Sequence, residues 1–169
     1  MPAYTSPFKP APPDPGPEQR LHMCGLLVGG EPGLSACSLE IERGGVSYTV
    51  DTLSAIHASH PDAELTFIVG ADTARTLPAW REPARLLELA NLAVAERDGT
   101  RHREVIDSLG ALGAPGRVSF LAMPTVDVSS SEVRLRASRG EPIEQLVGAG
   151  VASYIEERGL YREPGGAGG

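Results

Sequence analysis

Three short apolar runs, residues 65–69, 92–96 and 118–123, constrain this chain more than any other feature. The first is bounded by Asp62 and Gly70, as a strand buried in a parallel sheet should be. Helical patterns follow these runs, over 83–90, 130–138, 142–146 and 150–158. Ahead of them, 18–28 reads as a helix with Leu21, Cys24, Leu27 and Val28 on one side, ended by Gly29 and Gly30. Residues 36–43 alternate, with Cys37, Leu39 and Ile41 set against Ser38, Glu40 and Glu42, which predicts a half-buried strand. Thr49 is the predicted cap of a helix over 50–59, with Leu53 and Ile56 inward and Pro61 closing it. Strands alternating with helices predict an α/β fold with a mainly parallel sheet. Such sheets bind ligands beyond the carboxyl ends of their strands. Gly70 with Asp72, then Arg97, then Ser129, Ser130 and Ser131 each follow a predicted strand.

A length of 169 residues supports one domain with a real core. Twenty glycines and fifteen prolines are many for that length, and they gather partly at the ends. Seven prolines fall in residues 1–18, an extended segment that cannot join a helix or a central strand. On its residues alone it reads as a loose tail. Residues 163–169 are too glycine-rich to fold, leaving 19–162 as the domain. A net charge of −7 argues against a general nucleic-acid binder, so any phosphate contact must come from a local cluster. Cys24 and Cys37 are not spaced as C-x-x-C and read as free thiols in a reducing compartment. No apolar run is long enough to span a bilayer, and a cytoplasmic protein is expected.

Several residues read in two ways. In VDVSSSEVRLR (126–136), three serines open a helix and Arg134 and Arg136 follow. A helix N-terminus with hydroxyls and arginines is a socket for phosphates. Ser129-x-x-Glu132 is equally an ordinary capping box. Asp72, in VGAD, either caps the next helix or accepts hydrogen bonds from sugar hydroxyls. Tyr48 and Thr49 read on local grounds as packing and capping residues. Trp80, the only tryptophan, is core material or a stacking face. Arg97 is a surface charge or an anion contact. His57 and His60 match H-x-x-H but close a helix before Pro61, and they read as an exposed helix-end pair without further metal ligands.

The order of segments then narrows the field. GGVSYTVDTL (44–53), LTFIVGADTARTLPAWREPARLLELANLAVAERDG (65–99), VDVSSSEVRLR (126–136) and GVASYIEERGLY (150–161) resemble, in this order, the bacterial nicotinate-nucleotide adenylyltransferases. The resemblance covers residues 1–162. It implies a Rossmann-like nucleotidyltransferase fold, and transfer of AMP from ATP to nicotinate mononucleotide, giving deamido-NAD and pyrophosphate. It implies ATP and nicotinate mononucleotide as partners and Mg²⁺ with the ATP. By resemblance, Lys9 in TSPFK faces phosphate, while Tyr48, Thr49, Trp80 and Arg97 lie on the nicotinate mononucleotide side. Trp80 would stack on the pyridine ring. Gly70 and Asp72 lie on the adenosine side, and Ser129, Ser130, Ser131 and Arg134 grip the ATP phosphates.

One family element has no counterpart here. Members open with a strand and a turn of the form GGTFDPxHxGH, whose histidines sit against the reacting phosphates. Met1-Pro2-Ala3 resembles the end of the family's second strand. The resemblance therefore implies that the first βα unit and most of the second strand are missing. It implies that no catalytic residue remains, that activity is strongly impaired, and that Met1 is not the biological start. Two other readings stand beside this one: a non-catalytic nucleotide-binding protein, and a nucleotidyltransferase with another acceptor, such as a pantetheine phosphate.

Overall fold

A computed structural model describes residues 1–8, 15–96, 102–113, 115–124, 126 and 128–162. In chain order the elements are α1 (Pro17–Val28), α2 (Leu39–Arg43), α3 (Thr49–Ser59), β1 (Thr66–Gly70), α4 (Ala71–Thr76), α5 (Pro83–Leu89), β2 (Asn91–Glu96), α6 (His102–Leu109), β3 (Val118–Ala122), α7 (Ser130–Ser138), α8 (Glu144–Val147) and α9 (Ala149–Glu157). Single turns of 3₁₀ helix occupy Leu77–Ala79, Gly110–Leu112 and Pro115–Arg117. Two compact units result, residues 48–126 and residues 1–47 with 127–169.

The unit of residues 48–126 is built on a parallel sheet in the order β1-β2-β3. Phe67 lies opposite Leu92 and Val69 opposite Val94, and across the next pair Leu92 meets Val118 and Val94 meets Phe120. Paired residues of parallel strands share a face, so these side chains form one apolar layer. Leu77, Leu86 and Val105 close over it and are fully buried with Leu92 and Val94. On the opposite face, Ile68 lies opposite the buried Ala93 and Leu121 opposite Ala95, and both Ile68 and Leu121 are exposed. Among the described residues, β1 has β2 as its sole strand neighbour.

The other unit is helical. Val133 and Ala137 of α7 pack with Ile143, Val151 and Ile155, and Met23 of α1 lies against them. Tyr154 of α9 donates its hydroxyl to Gln19 of α1, and His22 stacks on the same ring at 4.3 Å. Residues before α1 are also tied down. Thr5 bridges Val46, the Ser47 hydroxyl accepts the Tyr4 N–H at 2.9 Å, and Arg20 donates to the carbonyls of Ala3 and Tyr4. The front of the chain, read from its prolines as a loose tail, is thus anchored over residues 3–5. Pro17 opens α1, where its missing N–H costs nothing.

The predicted strand over 36–43 is not formed. Leu39–Arg43 is the helix α2 instead. The carbonyl of Ser38 accepts the N–H groups of Ile41 and Glu42, and its hydroxyl donates to Glu42. Cys37, Leu39 and Ile41 are only half-buried. A lone strand there would leave its backbone groups unpaired, whereas a helical turn satisfies them internally. Two helices went unread in the sequence. Ala71–Thr76 follows β1 without a loop and has no apolar stripe beyond alanines. His102–Leu109 buries only Val105 and Leu109, one turn apart. The glycine-rich tail, 163–169, lies outside the described residues.

Leu92→Ala empties space at the centre of the sheet, and the expected loss is about 2–5 kcal/mol of stability. Ile68→Ala, at a side chain 62% exposed, is expected to change stability by about 0.5 kcal/mol or less. Urea midpoints of the two variants check this, and equal shifts would contradict the assigned core.

Candidate functional site

The N-terminus of α3 gathers several of the singled-out residues. Tyr48, not Thr49, is the cap: it is extended, and its carbonyl accepts the N–H groups of Asp51 and Thr52 at 3.1 and 3.2 Å. Thr49 is the first helical residue, so the predicted cap moves back by one. The reason is that the chain arrives extended at Tyr48 (φ −90°, ψ 130°) and turns helical only after it. The Tyr48 side chain makes no capping hydrogen bond. Its half-buried ring carries the guanidinium of Arg81, 4.8 Å from the ring centre. Arg81 also donates to Asp51, in the first turn of α3, at 3.1 Å.

Trp80 stands immediately before Arg81. Its indole N–H donates to the Thr76 hydroxyl at 3.1 Å, and its ring meets Phe67 edge-on at 6.2 Å. The tryptophan is half-buried, so it packs on the core of its unit and keeps part of its surface open. Glu82 then adopts a left-handed conformation (φ 49°, ψ 56°) before Pro83 opens α5. Strained non-glycine backbone of this kind concentrates at functional sites.

At the end of β1, Gly70 holds the cap position of α4, and Asp72 lies inside the first turn. Asp72 is therefore not the helix cap. Its exposed carboxylate pairs with Arg75 at 3.0 Å, and Arg75 reaches Glu104 of α6 at 2.7 Å. At the end of β2, Glu96 places one carboxylate oxygen 3.4 Å from His102 Nδ1, while the other is buried without a hydrogen-bond partner. The His102 ring stacks on Phe120. Arg75, Arg81, Glu96 and His102 escaped the sequence reading. The signals for them were the WREP tetrapeptide, whose proline forces a turn, and the charged end of an otherwise apolar strand. Arg97 and Lys9 lie outside the described residues.

In the helical unit, the Ser129 hydroxyl accepts the Glu132 N–H at 3.1 Å and caps α7. The serine half of the predicted capping box is thus formed. The Glu132 carboxylate pairs with Arg136, one turn on, at 2.5 Å. Ser130 and Ser131 are the first two helical residues, and all three serines are exposed. Arg134 turns toward the Ser131 hydroxyl at 3.4 Å. Hydroxyls, a guanidinium and a helix N-terminus thus converge on one turn, a donor-rich surface suited to anions. His57 and His60 are exposed at the end of α3. Among the described residues, no helix is long and apolar enough to cross a membrane.

No family profile matches the chain. Individual proteins do. It is 40% identical over 146 residues to a probable nicotinate-nucleotide adenylyltransferase of Frankia casuarinae, covering 86% of this chain and 74% of that protein. A probable nicotinate-nucleotide adenylyltransferase of Corynebacterium jeikeium is 36% identical over 148 residues, covering 85% and 74%. The fold is similar to that of Plasmodium falciparum nicotinic acid mononucleotide adenylyltransferase complexed with APC, with a TM-score of 0.62 at 16% identity, over 85% of this chain and 75% of the other. An identity of 40% across a stretch longer than either compact unit leaves one assignment: the chain belongs to the nicotinate-nucleotide adenylyltransferase family.

Proposed function

We propose that this chain serves NAD biosynthesis by transferring AMP from ATP to nicotinate mononucleotide, releasing pyrophosphate and forming deamido-NAD. The observation that carries this reading beyond family membership is the cluster at the start of α3. There the guanidinium of Arg81 is held over Tyr48 beside a helix N-terminus without a side-chain cap, and the half-buried Trp80 is its neighbour in sequence. A flat aromatic face suits a pyridine ring, and a helix N-terminus beside an arginine suits an anion.

In this reading Trp80 stacks on the pyridine ring, the segment of Tyr48 and Thr49 lies against it, and Thr49 with the start of α3 holds its carboxylate. Lys9 faces phosphate, and Arg97 lies near the nicotinate mononucleotide. Gly70 and Asp72 receive the adenosine and its ribose. Ser129, Ser130, Ser131 and Arg134 hold the triphosphate. The mononucleotide phosphate attacks the α-phosphorus of ATP in line, the bond to the β-phosphate oxygen breaks, and pyrophosphate leaves. No covalent enzyme intermediate is needed, so the protein contributes positioning and charge stabilisation. Mg²⁺ would come with the triphosphate of ATP and would offset charge on the phosphates. Among the described residues, no three His, Cys, Asp or Glu gather into a cage of their own. The cytoplasm, where ATP is abundant, is the compartment this reading assigns.

The 169 residues contain no glycine turn with paired histidines. We propose that this polypeptide by itself binds both nucleotides but turns over about 10²–10³-fold more slowly than relatives with the turn, as losing a preorganised donor entails. Calorimetry with each nucleotide, and single-turnover assay of deamido-NAD formation, test this. Binding without any transfer would favour a non-catalytic nucleotide-binding protein, and binding of neither nucleotide would refute both readings. Trp80→Ala is expected to weaken nicotinate mononucleotide about 10-fold and leave ATP affinity unchanged, as loss of one stacking contact predicts.

The serines separate by role. Ser129→Ala removes the cap and should cost about 1 kcal/mol of stability. Ser130→Ala should leave the melting curve in place and weaken ATP alone. Parallel denaturation and ATP titration of the two variants check the division.

A further inference from the structure

We propose that Arg75 is a positioning residue for ribose recognition: it ties Asp72 of α4 to Glu104 of α6, and so holds the Asp72 carboxylate ready for the sugar hydroxyls of ATP. This rests on the nucleotide reading above, in which Asp72 receives the ribose, and adds to it the residue through which Asp72 is aimed.

Asp72 alone is poorly constrained. It lies in the first turn of α4, directly after β1, and its side chain is 72% exposed. An exposed carboxylate turns among several rotamers, and binding that needs one of them bears the loss of the others. Arg75, in the last turn of α4, meets Asp72 Oδ1 through Nη2 at 3.0 Å. A pair three residues apart on a solvated helix is weak by itself. This arginine, however, is held at both ends. Its Nη1 donates to Glu104 Oε2 at 2.7 Å, across to α6. Its backbone carbonyl accepts the Ser108 hydroxyl at 2.8 Å. Beneath these contacts α4 packs on α6, with Ala74 and Val105 wholly buried.

The guanidinium is a planar fork, and its two terminal nitrogens take carboxylates from two different helices. That fixes the plane of the fork and, with it, the direction of Asp72. The positive charge also stands between two carboxylates that would otherwise repel across the α4–α6 junction. A carboxylate has about four lone-pair sites, so one that is paired still accepts hydroxyl protons. Acidic residues accept from ribose hydroxyls in other dinucleotide folds, at the ends of parallel strands, and Asp72 follows β1 in that way. Arg75 thus acts through Asp72 rather than on the nucleotide, and Glu104 acts through Arg75.

The test is calorimetric titration of the full chain with ATP and with 2′,3′-dideoxy-ATP, which lacks both sugar hydroxyls. The unaltered protein should prefer ATP. Arg75→Met should lower that preference about 2–5-fold, the range measured for exposed ion pairs. Loss of a positive charge weakens both triphosphates alike, so their ratio reports orientation apart from charge. Glu104→Ala separates the two effects further. Removing a negative charge favours any anion, yet the preference for ATP should still fall, because Arg75 loses its far anchor. Arg75→Lys should retain more of the preference than Arg75→Met, since it keeps the charge but loses the fork. In Asp72→Ala the preference should be lost, and adding Arg75→Met should then leave the ratio unchanged. Binding of the dideoxy compound reports that each variant is folded. If Arg75→Met leaves the ratio unaltered, or alters it equally in the Asp72→Ala background, the assignment of Arg75 is overturned while the nucleotide reading survives. If the unaltered protein binds the two compounds equally, Asp72 does not receive the ribose, and the role given to Arg75 falls with it. If it binds neither, the nucleotide reading itself falls, and this assignment with it.

Discussion

The ladder that holds β2 between β1 and β3 is the constraint from which the rest of this chain's chemistry descends. Parallel pairing aligns Phe67 with Leu92 and Leu92 with Val118, and two residues on it aligns Val69 with Val94 and Val94 with Phe120. Because all three strands run the same way, their carboxyl ends emerge together. Gly70 and Glu96 therefore finish at one rim, and Ala122 ends there too. Polar residues cannot occupy the middle of these strands without losing hydration, so charge collects where the strands stop. Asp72 with Arg75, and Glu96 with His102, stand at that rim for this reason.

The electrostatics of the chain are local. A protein with a net charge of −7 repels anions at a distance, yet its candidate ligands are phosphates and a ring carboxylate. Among the described residues, two arginines near the proposed contacts are already oriented by internal partners: Arg81 by Tyr48 and Asp51, Arg134 by Ser131. Such exposed pairs add little to stability. Their effect is to limit the rotamers of long cationic side chains, so that less freedom is lost when an anion arrives.

How far the sequence could be read depended on whether the deciding interaction was local. The helix α7 spans the very residues expected of it, because a serine cap and the Val133–Ala137 spacing are contained within the segment. The three strands were legible from their apolar runs to within a residue or two. Residues 36–43 were not, since their alternation was genuine but a strand needs a neighbour, and hydrogen bonding at Ser38 settled the matter in favour of α2. The place of Arg81 depends on the left-handed turn at Glu82; the proline in WREP is its one local sign and does not tell where the guanidinium goes. The reach of Arg75 from Asp72 to Glu104 was hidden for a similar reason, because Glu104 lies on a helix with almost no apolar signature.

The outer side of β1 has a colloidal consequence. Among the described residues β1 pairs with β2 alone, and a strand with one unpaired edge and an exposed isoleucine is a template for pairing with another chain. What opposes such pairing is mutual repulsion between like-charged molecules, and dissolved salt shortens the range of that repulsion to about 10 Å at 0.1 M. Ionic strength thus acts on this polypeptide in opposite senses: it eases the approach of anionic nucleotides to an acidic surface, and it removes the barrier that keeps neighbouring copies apart.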